Sequence, residues 1–339
     1  MMLSRLKEIL ILGSGVLLLG MASCNKAAEE PNPEVVASVV PAARISMQAQ
    51  MGENTKASYA DRVVSWQVGD QIVLYSNSKV NGILTCTGVD GDGKGSFSGD
   101  VVDFAPASVN AFFLGNRTVG LDAHSLTVDF SAQTGLVDNL PAFILLKKTG
   151  IVYDDLGGGE YAPASSIAME ALVSVLELKL DAANTPGASA DFRASLVTIK
   201  GMKNRLTVNF ADGTTSAATI NEGRTTVAPL SADDYALSYI IGVIPDSGNT
   251  DLTVEAQYYY YVDYESTKKT AYLTQCSYAM WTDVDWSSMA AANYYYTDWT
   301  SKTLVQASPK GGYNGQAVTG GENASGKDQK KGYNGQDVL

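Results

Sequence analysis

The sequence predicts an all-β fold built as two tandem β-sandwich domains, and three observations predict it. Apolar residues alternate with polar ones in short runs rather than recurring at helical spacing. Clusters of Gly, Asn and Asp break those runs at close intervals. The composition, with 18 Tyr and 32 Gly in 339 residues, favours extended chain over helix, and the length is ample for two cores.

The chain opens on Arg5 and Lys7 ahead of an apolar run from Ile9 to Leu19. That run is too short to span a bilayer and has the length of a secretory signal, so residues 1–23 are read as a signal peptide removed before folding. It ends in Met21-Ala22-Ser23-Cys24, small residues before a cysteine, which resembles a lipobox and marks Cys24 for lipidation. Residues 24–42 follow as a polar tether stiffened by Pro31 and Pro33.

The first domain is expected over residues 43–162. Ile45, Met47, Ala49 and Met51 alternate with Ser46, Gln48 and Gln50, giving a strand with one side to bury. Gly52 to Asn54 end it, and Lys56 follows in a small polar linker open to proteases; residues 43–56 are thus a strand and linker that a cut could detach. Val63, Val64 and Trp66 read as a strand, Gly69-Asp70 as a tight turn, and Ile72 to Tyr75 as the returning strand of a hairpin. Further strands are expected at Ile83–Thr87, Ser96–Ser98, Ala111–Leu114, His124–Phe130 and Leu140–Lys147, with a turn over Gly88–Gly95.

Gly157-Gly158-Gly159 and Pro163 mark a break, and the second domain is expected over residues 163–307. Ala168–Leu180 contains helix formers but ends in strict alternation, and most of it is read as strand. Strands are expected at Leu196–Ile199, Arg205–Phe210, Thr225–Ala228, Tyr239–Ile244, Leu252–Asp263 and Lys269–Leu273, and a last one within Asn293–Val305. The tail, residues 308–339, repeats Gly-Tyr-Asn-Gly-Gln at Gly312 and Gly332, has little to bury and is read as disordered.

Chemistry is poorly served by this inventory. Gly88-Val89-Asp90-Gly91-Asp92-Gly93-Lys94-Gly95 approaches a phosphate loop, but Gly95 stands where the metal-binding hydroxyl belongs and a strand follows. As a calcium loop it has Lys94 for the third ligand and Val101 for the bidentate acid. A hairpin turn accounts for it. The single histidine, His124, has no nucleophile motif beside it, and zinc sites fail for want of His and Cys. Asp154-Asp155 and Asp233-Asp234 are adjacent pairs that read as solvated. No enzyme, cofactor or metal is expected. The formal charge of -12, with one net positive charge in the leader, leaves -13 from Cys24 onward, which disfavours nucleic acid as a partner. Cys86 and Cys276 are read as buried thiols.

The order of Thr55-Lys56-Ala57 behind an alternating strand, then Trp66-Gln67-Val68-Gly69-Asp70-Gln71-Ile72, all behind a lipobox, resembles the fimbrillin family of Bacteroidales surface lipoproteins, the subunits of type V pili. The resemblance spans Ala43 to about Val305 and implies transthyretin-like sandwiches, processing at Lys56 and Ala57 with Arg62 as a fallback, and a displaceable strand carrying Ile45, Met47, Ala49 and Met51. It also implies other fimbrial subunits as partners and an outer-membrane, cell-surface location through the lipid at Cys24; Glu29 and Glu30 resemble the family's export signal. The expected role is a structural or accessory tip subunit serving adhesion. The alternatives are an anchor subunit, or a surface lipoprotein that never polymerises and binds a host glycan or protein. For that last reading Trp281, Trp286, Tyr295 and Trp299 are the aromatic candidates, although aromatics so spaced are more often core.

Overall fold

A computed structural model describes residues 43–51, 59–60, 63–180, 192–231, 234–263 and 269–307. The residues read as signal peptide and tether, with Cys24, the linker residues 52–58 with Lys56 and Ala57, Arg62 and the tail from residue 308 lie outside the described residues. What is described is all-β.

The larger sheet closes on itself. From the first strand, Ala43–Met51, hydrogen bonding passes to Ile167–Ala171, then Leu146–Ile151, Val109–Phe113, Gln71–Ser76, Lys79–Val89 and Gly95–Val101, which pairs back to the first strand. A hairpin of Asp154–Gly157 and Glu160–Ala162 extends this ring beside the first strand. The glycine run Gly157 to Gly159 is the tip of that hairpin, with φ of 88°, 67° and 84°, left-handed values that glycine adopts without steric cost. Inside the ring Ile45, Ile72, Leu74, Leu84, Phe113 and Leu146 are fully buried together with Trp66.

Trp66 explains the motif around it. Its ring meets Phe97 and Phe113 edge-on at 4.8 and 5.2 Å between centroids, so it plugs one end of the core. Gly69 then turns the chain at φ 97°, and the Asp70 carboxylate accepts the Gln67 N–H at 2.8 Å and an Asn116 amide N–H at 2.9 Å. Burial pushes the Asp70 carboxyl up from its ordinary value while these two bonds pull it back. The motif is a structural corner.

The expected hairpin across Gly69-Asp70 is not formed. Val63–Val64 pairs with Tyr59–Ala60, and Gln71–Ser76 turns instead through Asn77 and Ser78, both at positive φ, onto Lys79–Val89. Two consecutive left-handed residues match the twist of the strands they join, which a single glycine does not supply. The apolar stretch from Leu140 begins in a 3-10 turn over Val137–Phe143 that contains Pro141, and its strand starts only at Leu146.

The second core lies between two open sheets. One has the order Ser238–Val243, Ser174–Lys179, Tyr294–Asp298, Thr303–Ala307; the other runs from Lys269–Val284 through Leu252–Asp263, Phe192–Lys200 and Thr225–Val227 to Ala132–Gln133. The segment expected as one final strand is therefore two, with a turn over residues 299–302. Cores and chain order do not coincide. The hairpin of Arg205–Asn209 and Thr215–Ala218 pairs with Ser125–Asp129, and its Leu206, Val208 and Phe210 join the first core.

Candidate functional site, the strand that closes the ring

The first strand has the alternation its sequence dictates. Ile45 and Ala49 are 0% exposed, Met51 2% and Met47 4%, whereas Arg44, Ser46 and Gln48 face solvent. On one side it pairs antiparallel with Gly95–Val101 without interruption, from Ala43 opposite Val101 to Ala49 opposite Gly95. On the other it runs parallel to two separate segments. Arg44 and Ile45 lie opposite Glu160 and Tyr161, and Ala49 to Met51 opposite Ile167 to Met169.

Packing follows this register. The Tyr153 hydroxyl donates to Met47 Sδ at 3.2 Å, and burial pushes that phenol above its usual range. Phe104 holds Tyr153 and Tyr161 edge-on at 5.3 and 5.5 Å, which ties the hairpin to the strand it flanks. Ala49 lies opposite Gly95, where space is short: a Cβ on Gly95 would lie 2.6 Å from Phe97 Cε2 and 3.0 Å from the Trp66 ring. Taking the strand away would open the ring at two edges and uncover Ile45, Met47 and Met51, worth on the order of 5 kcal/mol at ~1.5–3 kcal/mol per side chain.

The aromatic candidates are elsewhere. Trp281, Trp286, Tyr295 and Trp299 are all buried in the second core, with Trp281 and Trp299 stacked at 4.1 Å. Trp299 Nε1 donates to the Lys179 carbonyl at 2.5 Å, and the Tyr295 hydroxyl accepts the Ala290 N–H at 2.9 Å. These four residues pack the core and form no ligand surface. His124 shares a hydrogen bond with the Tyr75 hydroxyl at 3.0 Å, Nδ1 to oxygen. The loop at Asp90 is a turn in which Asp90 Oδ1 accepts the Asp92 and Lys94 N–H groups. Cys86 is a buried free thiol. Among the described residues no three His, Cys, Asp or Glu side chains group in a way that could hold a metal ion.

No protein-family model matches the chain, and no curated protein matches it. Solved structures do. A provisionally named cell adhesion protein from Bacteroides uniformis is 18% identical, with 75% of this chain and 90% of that one covered at a TM-score of 0.43. Another from Bacteroides ovatus is 13% identical, covering 79% and 97% at 0.41. The tip fimbrial protein Mfa3 from Porphyromonas gingivalis, in a C-terminally truncated form, is 8% identical, covering 76% and 94% at 0.37.

Two features of the site escape the alternation pattern. The Tyr153 contact joins residues far apart in sequence and left no signal. The interruption of the parallel ladder did leave one, since Pro163 cannot donate to a neighbouring strand.

Proposed function

We propose that this chain is a structural or accessory tip subunit of a cell-surface fimbria, held as a monomer by its own first strand and joined to other subunits by strand exchange. The observation that carries the reading is the position of Ala43–Met51: a short segment at the start of the described residues that completes a closed sheet and is followed at once by the linker holding Lys56. A cut there leaves the strand attached by hydrogen bonds and packing alone. An extended segment of another subunit then replaces it, satisfying the same two edges. Lipidation at Cys24 holds the precursor in the outer membrane, and adhesion to a host glycan or protein is the output. The work done is assembly and no catalytic turnover is involved. Burial of Trp281, Trp286, Tyr295 and Trp299 supports this reading over the non-polymerising alternative, which needs them at the surface.

The test is N-terminal sequencing of protein sheared from cells and run unboiled on a gel. Subunits in a ladder of higher forms should begin at or just after Ala57, and Lys56→Ala should leave an anchored monomer. A single species beginning at Cys24, with no ladder, would remove the reading.

A further inference from the structure

The parallel side of the first strand is broken at its centre, and the cause is a single residue. The Arg44 N–H donates to the Gly159 carbonyl at 2.9 Å, as the register Arg44 opposite Glu160 requires. Continuing that register one ladder step would bring residue 162 opposite Ser46 and ask residue 163 to donate its N–H to the Ser46 carbonyl. Pro163 has none. The partner chain leaves the ladder there: Ile45 to Ala49 is four steps, but Tyr161 to Ile167, their partners, is six. Beside the break the surface opens into a groove of about 420 Å³, with Ser46, Gln48, Ser96 and Ser98 along the first strand and its antiparallel neighbour and Ser165 and Ser166 from the loop. No charged side chain lines it.

We infer that this break is the foothold at which an extended strand of another polypeptide first pairs, and that the position of Ala49 is the filter it must pass. The inference rests on the strand-exchange reading. An incoming strand running parallel to Ile167–Ala171 finds backbone groups of the loop that the first strand does not engage, and room above them, without any existing ladder bond having to break first. It then displaces the first strand outward from the break, exchanging one ladder bond for another at each step. Uncharged walls set no electrostatic condition on its polar face. The buried face is selective: the sites of Ile45, Met47 and Met51 take large side chains, whereas that of Ala49 lies opposite Gly95, whose own space is filled by Trp66 and Phe97. The partner strand carries Ala or Gly there.

The probe is a labelled synthetic copy of Ala43–Met51, added to full-length protein cut in the linker by limited trypsin. Capture of this peptide is expected. A copy carrying Ala49→Leu should be captured at least tenfold less, and its equal capture would overturn the filter. In a protein with Pro163→Ala and Ala164 and Ser165 deleted, the parallel ladder can run unbroken, and capture of the original peptide should slow at least tenfold while reaching the same end level. Capture at an unchanged rate in that folded variant would overturn the foothold. Should the variant not fold, amide hydrogen exchange on the native protein decides: the Gln48 amide, the one that points into the break, should exchange faster than those of Arg44, Ser46 and Gln50 on the same side of the strand, and equal protection of the four would overturn it. Peptide capture with the expected selectivity, in a protein that forms no ladder on cells, would sustain the inference while removing the fimbrial reading.

Discussion

The ring around the first core is closed by a strand from its own N-terminal edge, whereas the second core is closed by strands drawn from the middle and end of the chain, with Ser174–Lys179 held between Ser238–Val243 and Tyr294–Asp298. Each of those three second-core strands is tethered at both ends by further described structure. Among the described residues, the first strand has further structure only downstream of it, beyond residues 52–58. Both cores bury comparable kinds of side chain, so the difference lies in how many covalent connections must be cut before a wall can leave. One cut suffices for the first. In the second, a cut in any one connection leaves the strand held at its other end.

Ile45→Asp gives the sharpest test of this asymmetry. It puts an unpaired charge at a fully buried site and should cost the first core more than about 4 kcal/mol. Trp66 reports the first core and Trp281, Trp286 and Trp299 the second, so urea unfolding of single-tryptophan versions separates them. The Trp66 transition should fall steeply while the second-core transition stays within about 1 kcal/mol of wild type. An equal fall of both would mean that the cores unfold as one unit. On cells the same variant should show premature association or aggregation, because the strand no longer covers the sheet edges.

Trp286→Ala is the converse. Removing a fully buried indole should cost the second core about 3–5 kcal/mol through the cavity left behind. Protection of the first strand in hydrogen exchange should not change. If it does, the independence of the closing strand is wrong.

A smaller effect is expected where the two regions are stitched together. The Gln133 amide donates to the Gly242 carbonyl at 2.8 Å and accepts the Gly242 N–H at 3.0 Å, which ties the two sheets of the second core together, and its Nε2 also reaches the carbonyl of Phe130, a first-core residue, at 3.3 Å. Gln133→Ala leaves both backbone groups without that partner, at a cost of about 1–3 kcal/mol. Because it joins the regions, it should lower the two tryptophan transitions together, and a fall confined to one of them would show that the stitch does not couple them.

Why some of this could be read from sequence and some could not is a matter of range. The period-two pattern of Ile45 to Met51 is local, and it announced a one-sided strand that the structure keeps. It could not announce which strands lie on either side, because Gly95–Val101 and Glu160–Met169 are joined to it only through space. The same limit hid the hairpin of Arg205–Asn209 and Thr215–Ala218, whose alternation was legible but whose allegiance to the first core depends on pairing with Ser125–Asp129. A turn signal is not a hairpin signal: Gly69-Asp70 turns the chain without making a hairpin, while Asn77-Ser78, less conspicuous, makes one. The four aromatics from Trp281 to Trp299 could not be assigned by spacing, since exposure of an indole is decided by what packs over it.

The least effect is expected at the acidic turn that looked most like a site. Asp90 Oδ1 accepts the Asp92 N–H at 2.9 Å and the Lys94 N–H at 2.8 Å, and the Asp90 N–H closes the turn onto the Lys94 carbonyl at 3.0 Å. Those bonds account for one carboxylate oxygen, and the turn is exposed, so water replaces much of what Asp90→Ala removes. The cost should be under about 1 kcal/mol. This hairpin ends in Gly95, the residue opposite Ala49, so the small loss should be felt by the Trp66 transition and not by the second core. Calcium provides the decisive arm. With Lys94 at a position that needs an oxygen ligand, millimolar calcium should leave the melting temperature of wild type and Asp90→Ala equally unmoved. A rise in wild type that the substitution abolishes would make the turn a cation site and tie ion binding to the strand that closes the ring.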